Sequence, residues 1–219
     1  MTISLSTQQA NVMLRLQCDM NAKVDANWVQ AAYPYLRAVV IEAAEAIEHH
    51  GWKWWKKQTL DLPQLQMELV DIWHFLLSEI LLRENGNREQ ALEHLIKVMH
   101  DNKPVLCDGL EVDLGALDLL GKLELLIALS AVRRIEMSVF SSILSDCHMS
   151  WQELYRQYVG KNVLNFFRQD HGYKAGTYQK IWGDREDNEH LVELMAGLET
   201  DSDQYPEKLY DALRSRYPG

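Results

Sequence analysis

The run Leu69-Val70-Asp71-Ile72-Trp73-His74-Phe75-Leu76-Leu77 is apolar almost all the way round a helix, yet it follows Glu68 and contains Asp71. A segment of that pattern belongs in the interior of a helical protein. Ile72 and Phe75 fall on the same side as the two acids. A carboxylate in such a place must be paired, protonated or bound to a cation. A second acidic pair, Glu42-Ala43-Ala44-Glu45, follows Val39-Val40-Ile41, and 22 residues separate Glu45 from Glu68. Residues three apart share one helix face, with Cβ atoms about 5–6 Å apart. Two such helices packed antiparallel would aim four carboxylates at one point. An E-x-x-E spacing alone is commonplace on solvated helix faces; the apolar surroundings are what favour a cation. An all-oxygen donor set suits Mg²⁺, which usually completes its shell with waters and phosphate oxygens. The chemistry suggested is metal-assisted attack of water on phosphorus.

The rest of the composition agrees with a helical reading. Glycine (11) and proline (5) are scarce among 219 residues, and 47% are hydrophobic, enough to bury a full core. No alternating β-branched runs stand out, so the expectation is an all-α protein, a helical bundle forming one domain over residues 1–219. The net charge of −10 argues against a general nucleic-acid binder, which would present a basic face. It also means that a phosphate-bearing substrate would need metal ions or local cations to approach. Cys18, Cys107 and Cys147 make neither a disulfide framework nor a zinc site and read as buried or free thiols in a reducing cytosol. No basic region followed by an apolar stretch opens the chain, so no signal peptide is expected. The most apolar region, Leu117 to Val132, is interrupted by Asp118, Lys122 and Glu124 and is too short and charged to span a membrane. A cytoplasmic protein with no membrane partner follows as the expectation.

Along the chain, Ser6-Thr7-Gln8-Gln9 resembles a capping box opening a helix to about Asn21. Val12, Leu16 and Met20 form its core stripe. Gln17 and Asn21 share one side and read first as exposed polar residues, although their amides could meet a base or a ribose. Pro34 is a good first residue for a helix that ends at His50 before Gly51. Leu36, Val40, Ala43 and Ile47 make its core stripe. Trp52-Lys53-Trp54-Trp55-Lys56-Lys57 then places three tryptophans in four residues. These could wall a base pocket, pack on a neighbouring subunit or plug the core; packing is favoured. Asp61-Leu62-Pro63 starts a helix to near Gly86, and Asn87 caps another to about His100. Residues 101–113 read as a loop. Residues 114–146 read as one or two core helices with a buried or subunit-interface position, which predicts a homodimer. A helix over about 150–169 carries a polar stripe of Lys161, Asn165 and Arg168, followed by a loop with Lys174 and Lys180. A cationic face of this kind is what a triphosphate would need opposite a carboxylate–Mg²⁺ cluster. Helices near 187–198 and 206–217 close the chain, with Asp201-Ser202-Asp203 as a turn between them. His49, His50, His74, His94 and His100 show no coherent metal spacing and read as structural or exposed.

Taken together these residues resemble the dimeric all-α dUTP diphosphatases, relatives of the MazG-like nucleotide pyrophosphohydrolases. Four blocks between Leu16 and Asn188 carry the resemblance: Leu16-Gln17 through Asn21 to Trp28; Glu42-Ala-Ala-Glu45 into Trp52–Lys56; Glu68-Leu-Val-Asp71-Ile-Trp-His-Phe75; and Lys161–Gln169 with Gly172-Tyr-Lys174, Tyr178–Trp182 and Glu186-Asp-Asn188. The acidic pairs mark only the superfamily, whereas the tryptophan block and the last block are specific to the dUTPase branch. One departure is Asp25-Ala26, where relatives often have Thr and Gly. The resemblance implies hydrolysis of dUTP, and of dUDP, to dUMP with Mg²⁺ required. It implies Glu42, Glu45, Glu68 and Asp71 as metal ligands, with Glu42 or Glu45 also acting on the attacking water. It implies Gln17 and Asn21 at the uracil and deoxyribose, Trp55 and Lys56 near the substrate, and Lys161, Asn165, Arg168, Lys174 and Lys180 around the nucleotide and its phosphates. Competing readings are a pyrophosphohydrolase for dCTP or another nucleotide, and a non-catalytic helical nucleotide-binding protein. The four intact acids argue against the last.

Overall fold

The computed structural model describes residues 5–101, 103–199 and 204–218; the turn read at Asp201-Ser202-Asp203 lies outside them. The described residues form ten α-helices, one 3-10 turn and two small hairpins, so the protein is all-α. The helices are α1 (Thr7–Val24), α2 (Trp28–Ala31), α3 (Tyr35–His50), α4 (Leu62–Arg83), α5 (Arg88–Met99), α6 (Leu119–Ala131), α7 (Met137–Asp146), α8 (Trp151–Asp170), α9 (Asp187–Ala196) and α10 (Tyr205–Arg216). Two compact units emerge, Met1–Leu154 and Tyr155–Gly219, with the boundary in the first turn of α8.

Local chemistry sets the helix ends. Ser6 Oγ accepts from the Gln9 amide at 3.1 Å while Gln9 Oε1 accepts from the Ser6 amide at 3.2 Å, a reciprocal cap for α1. Pro34 stands one place earlier than its N1 preference suggests, as the residue before α3. Gly51 ends α3 with φ +87, in the region open to glycine, and a Cβ there would meet Gln58 Cβ at 2.8 Å. Asp61 caps α4 through Gln64 N–H, and Asn87 caps α5 through the amides of Glu89 and Gln90.

In the first unit α4 is the central element. Leu65, Leu69, Val70, Ile72, Trp73, Leu77, Ile80 and Leu81 are fully buried along it, which stabilises by about 1.5–3 kcal/mol per large side chain. α3 packs most extensively on α4 and next on α6, and α1 lies against α4 and α5. Trp73 stacks on Phe140 at 5.5 Å and meets Trp151 edge-on at 5.3 Å. The buried stripe of α3 is Leu36, Val39, Ala43 and Ala46, rotated from the predicted Leu36, Val40, Ala43, Ile47; Val40 and Ile47 are only half-buried and Ile41 is exposed. Two of the stripe's four residues are alanines, on a helix that packs against two others. The predicted loop at 101–113 is instead a hairpin, β1 (Val105–Cys107) paired antiparallel with β2 (Leu110–Val112). Residues 114–146 become a 3-10 turn, α6 and α7, and Leu123, Leu126, Leu129, Phe140 and Ile143 fill the chain's own core.

The second unit is built on α8, the hairpin β3 (Ile181–Trp182)–β4 (Arg185–Glu186), α9 and α10. Phe167 is its aromatic centre, with Trp182, Tyr210 and Tyr217 between 5.2 and 5.8 Å away.

Candidate active site

The two acidic pairs lie on α3 and α4, the helices in closest contact. Glu42, Glu68 and Asp71 each offer a carboxylate oxygen, and these oxygens all lie within 4.8 Å of one another. Glu68 is buried, Glu42 and Asp71 half-buried. Glu45 is exposed and outside this three-acid group, but near enough to act on Glu42 electrostatically. Burial pushes the Glu42 carboxyl up to about 7, and the charges of Asp71, Glu45 and Glu68 push the same way, as does a hydrogen bond with Glu68. The cluster is therefore short of positive charge. Its donor chemistry, all carboxylate and partly dry, fits a hard divalent cation.

Sequence reasoning passed over two histidines beside this cluster. His49 Nε2 lies 3.3 Å from Glu68 Oε1. The spacing held the signal: Glu42, Glu45 and His49 stand at i, i+3 and i+7 on one face of α3. His74 and Ser78, at i+3 and i+7 from Asp71, continue the acidic face of α4 into a polar network. His74 Nδ1 donates to Gln17 Oε1 at 2.8 Å; Gln17 Nε2 donates to Asn21 Oδ1 at 3.0 Å and to Ser78 Oγ at 2.9 Å. Gln17 and Asn21 are thus buried, at 4% and 7% exposure, and not the exposed polar residues that spacing favoured. Their partners come from α4, which no inspection of α1 alone reveals. Asn21 Nδ2 is buried with no hydrogen-bond partner among the described residues, at a cost of about 1–3 kcal/mol for an orphaned donor.

The tryptophan block does not plug the core. Trp54 is 87% and Trp55 60% exposed. Trp52, Trp54 and Trp55 meet edge-to-face at 4.5–6.5 Å, and Lys53 lies 5.4 Å over the Trp52 ring. Gly51 turns the chain out of α3 before the block, so the rings leave the bundle. Lys56 is exposed beside them.

Lys161, Asn165, Arg168, Lys174 and Lys180 all belong to the second unit. Lys174 is exposed, and Lys180 Nζ pairs with Glu186 Oε2 at 3.0 Å. Arg168 is gripped by the fully buried Asp187: Nε donates to Oδ2 at 2.8 Å and Nη2 to Oδ1 at 3.0 Å. Tyr178 Oη donates to the same carboxylate at 2.8 Å, and Asn165 Oδ1 accepts from Arg168 Nη1 at 3.3 Å. Burial disfavours the charged form of Asp187, yet the bonds from Arg168 and Tyr178 hold its carboxyl below the usual range.

Fold and cluster together define a class, an all-α protein in which two adjoining helices bring carboxylates to one point. Residues 9–173 match the model of the dUTPase family, more than half of the chain, and the chain belongs to that all-α dUTPase family. It is an enzyme, a dUTP diphosphatase, and its family points to dependence on a divalent metal. The match spans the acidic pairs, the tryptophan block and all of α8, and stops short of Tyr178–Trp182 and Glu186–Asn188. No curated protein matches the chain. No described helix is long and apolar enough to cross a membrane.

Proposed function

We propose that the protein hydrolyses dUTP, and also dUDP, to dUMP with release of pyrophosphate or phosphate, in a Mg²⁺-dependent reaction of a metal-activated water. The observation that carries the reading is the meeting of Glu42, Glu68 and Asp71 within 4.8 Å on α3 and α4. These three, with Glu45 from the exposed flank, would hold the ion. When bound, Mg²⁺ supplies neutralisation of phosphate oxygens and a lowered pKa for a coordinated water. Glu42 takes the proton of the attacking water at its carboxylate, and Glu45 orients that water. Gln17 and Asn21 bind the uracil and deoxyribose. The buried, unpartnered Nδ2 of Asn21 supports this, as a donor waiting for a ligand oxygen. A site built around such fixed amides rejects bases whose groups it leaves unpaired. Trp55 and Lys56 approach the nucleotide from the exposed block. Lys161, Asn165, Arg168, Lys174 and Lys180 bind the nucleotide and its phosphates, Arg168 held in place by Asp187. The active form is a cytoplasmic homodimer.

Pyrophosphate release from a panel of deoxynucleotides, with and without Mg²⁺, tests the reading. Turnover of dUTP that stops in a chelator is expected. Preference for dCTP would move the assignment to a sister pyrophosphohydrolase, and turnover undiminished by the chelator would remove the metal.

A further inference from the structure

We infer that His49 is a positioning residue of the metal centre: it fixes the carboxylate of Glu68 and does not itself bind the ion. The inference rests on the reading of Glu42, Glu68 and Asp71 as ligands of a divalent cation.

His49 Nε2 is 3.3 Å from Glu68 Oε1, and the pair is mostly withdrawn from water, with side-chain exposures of 32% and 10%. A carboxylate oxygen has no proton of its own to offer when ionised, so the ring N–H is the donor. His49 stands outside the group of residues whose ligand atoms lie mutually within 4.8 Å, although it contacts one member of that group. The imidazole bears on one oxygen, Oε1, of a carboxylate that has two to share. Ligating carboxylates are commonly held in this way, and the holding partner sharpens metal affinity.

The backbone that carries the histidine is itself held. Its carbonyl accepts from the Asp61 amide at 2.9 Å, tying the last turn of α3 to the cap of α4. Gly51 ends the helix two residues later, its N–H donating a hydrogen bond to the Ile47 carbonyl at 3.1 Å. The neighbouring acid, Glu48, is occupied by Trp52 Nε1 at 2.7 Å and Lys53 Nζ at 3.2 Å, leaving the imidazole to Glu68. The same contacts place the exposed tryptophan block next to the residue that steadies the ligand.

The test is calorimetric titration of the full chain with MgCl₂, without nucleotide. His49→Ala is expected to weaken Mg²⁺ binding about 10–100-fold. His49→Gln, whose amide N–H reaches the same oxygen, should recover most of the loss. Far-ultraviolet circular dichroism and melting should match wild type for His49→Gln, so the comparison holds even where the alanine variant folds poorly. Pulsed electron paramagnetic resonance with Mn²⁺ in place of Mg²⁺ should show no coupling to a ligating ¹⁴N. Unchanged Mg²⁺ affinity in His49→Ala, alongside loss of binding in Glu68→Gln, would overturn the role of His49 while sparing the metal centre. A strong ¹⁴N coupling removed by His49→Ala would overturn it too, by making His49 a ligand. No divalent binding by the wild-type chain would overturn the metal reading beneath it.

Discussion

At Glu42, burial and three neighbouring acids act in one direction. Its carboxyl has an unfolded-state value near 4.5 and a folded value of about 7, so the native chain holds the extra proton between those limits. Stability from this group is present below pH 4.5 and is lost as pH rises through 7. Chelator-treated protein should therefore melt lower at pH 8 than at pH 6, and MgCl₂ at pH 8 should restore the difference by binding the deprotonated cluster. Equal melting at both pH values would contradict the electrostatic account. Asp71→Asn removes one of the repelling charges. It is expected to lower turnover at least about 100-fold while the metal-free variant melts a few degrees above wild type. Wild-type rates in Asp71→Asn would refute the ligand assignment. Glu45→Gln is expected to lower turnover as well; a rate within about tenfold of wild type would leave the three-acid group sufficient. At this scale the acids were legible because a carboxylate beside Ile72 needs a partner whatever the fold. His49 was not, because its significance depends on one oxygen of another helix.

At the scale of elements, α3 packs on α4 and α6 and buries Ala43 and Ala46 fully. Ala43→Leu overfills that face and should cost about 1–3 kcal/mol. Because Ala43 is next to Glu42, the same variant should also weaken Mg²⁺ binding; denaturant unfolding and titration measure the two effects. Helix positions were readable from caps and breakers: Ser6, Asp61, Asn87 and Gly51 mark their ends by local hydrogen bonding and backbone freedom. The rotation of α3 about its axis was not. Two alternative apolar stripes run along that helix, Val39 with Ala46 and Val40 with Ile47, and only contact with α4 and α6 selects the first. The hairpin at Val105–Val112 was missed for a related reason, since three-residue strands carry too few side chains for an alternating pattern.

For the whole molecule, the buried bidentate pair of Arg168 and Asp187 is the polar centre of the second unit. Asp187→Ala strands a guanidinium that is only 17% exposed, and should destabilise by about 3–5 kcal/mol. Urea unfolding measures this, and Asp187→Asn, which keeps acceptor oxygen, should lose less. The proposed homodimer is tested by light scattering, with twice the chain mass of 25.4 kDa expected at micromolar concentration; a single chain mass would count against it. Much of the apolar stretch at 114–146 is spent on the chain's own core, and the exposed apolar side chains left for a partner include Val132 at 66% and Trp54 at 87%.

The sequence by itself determined that the chain is helical, where most helices begin and end, and that acids lie on helix faces too apolar to leave them alone. Those properties follow from periodicity, capping and desolvation, which act over a few residues. Only the tertiary structure decided which atoms meet: that Glu42, Glu68 and Asp71 converge while Glu45 stays exposed, that Gln17 and Asn21 are buried against His74 and Ser78, and that Asp187 holds Arg168. The physical reason is that a contact between helices depends on how each is turned about its axis, and packing of the whole core sets that angle.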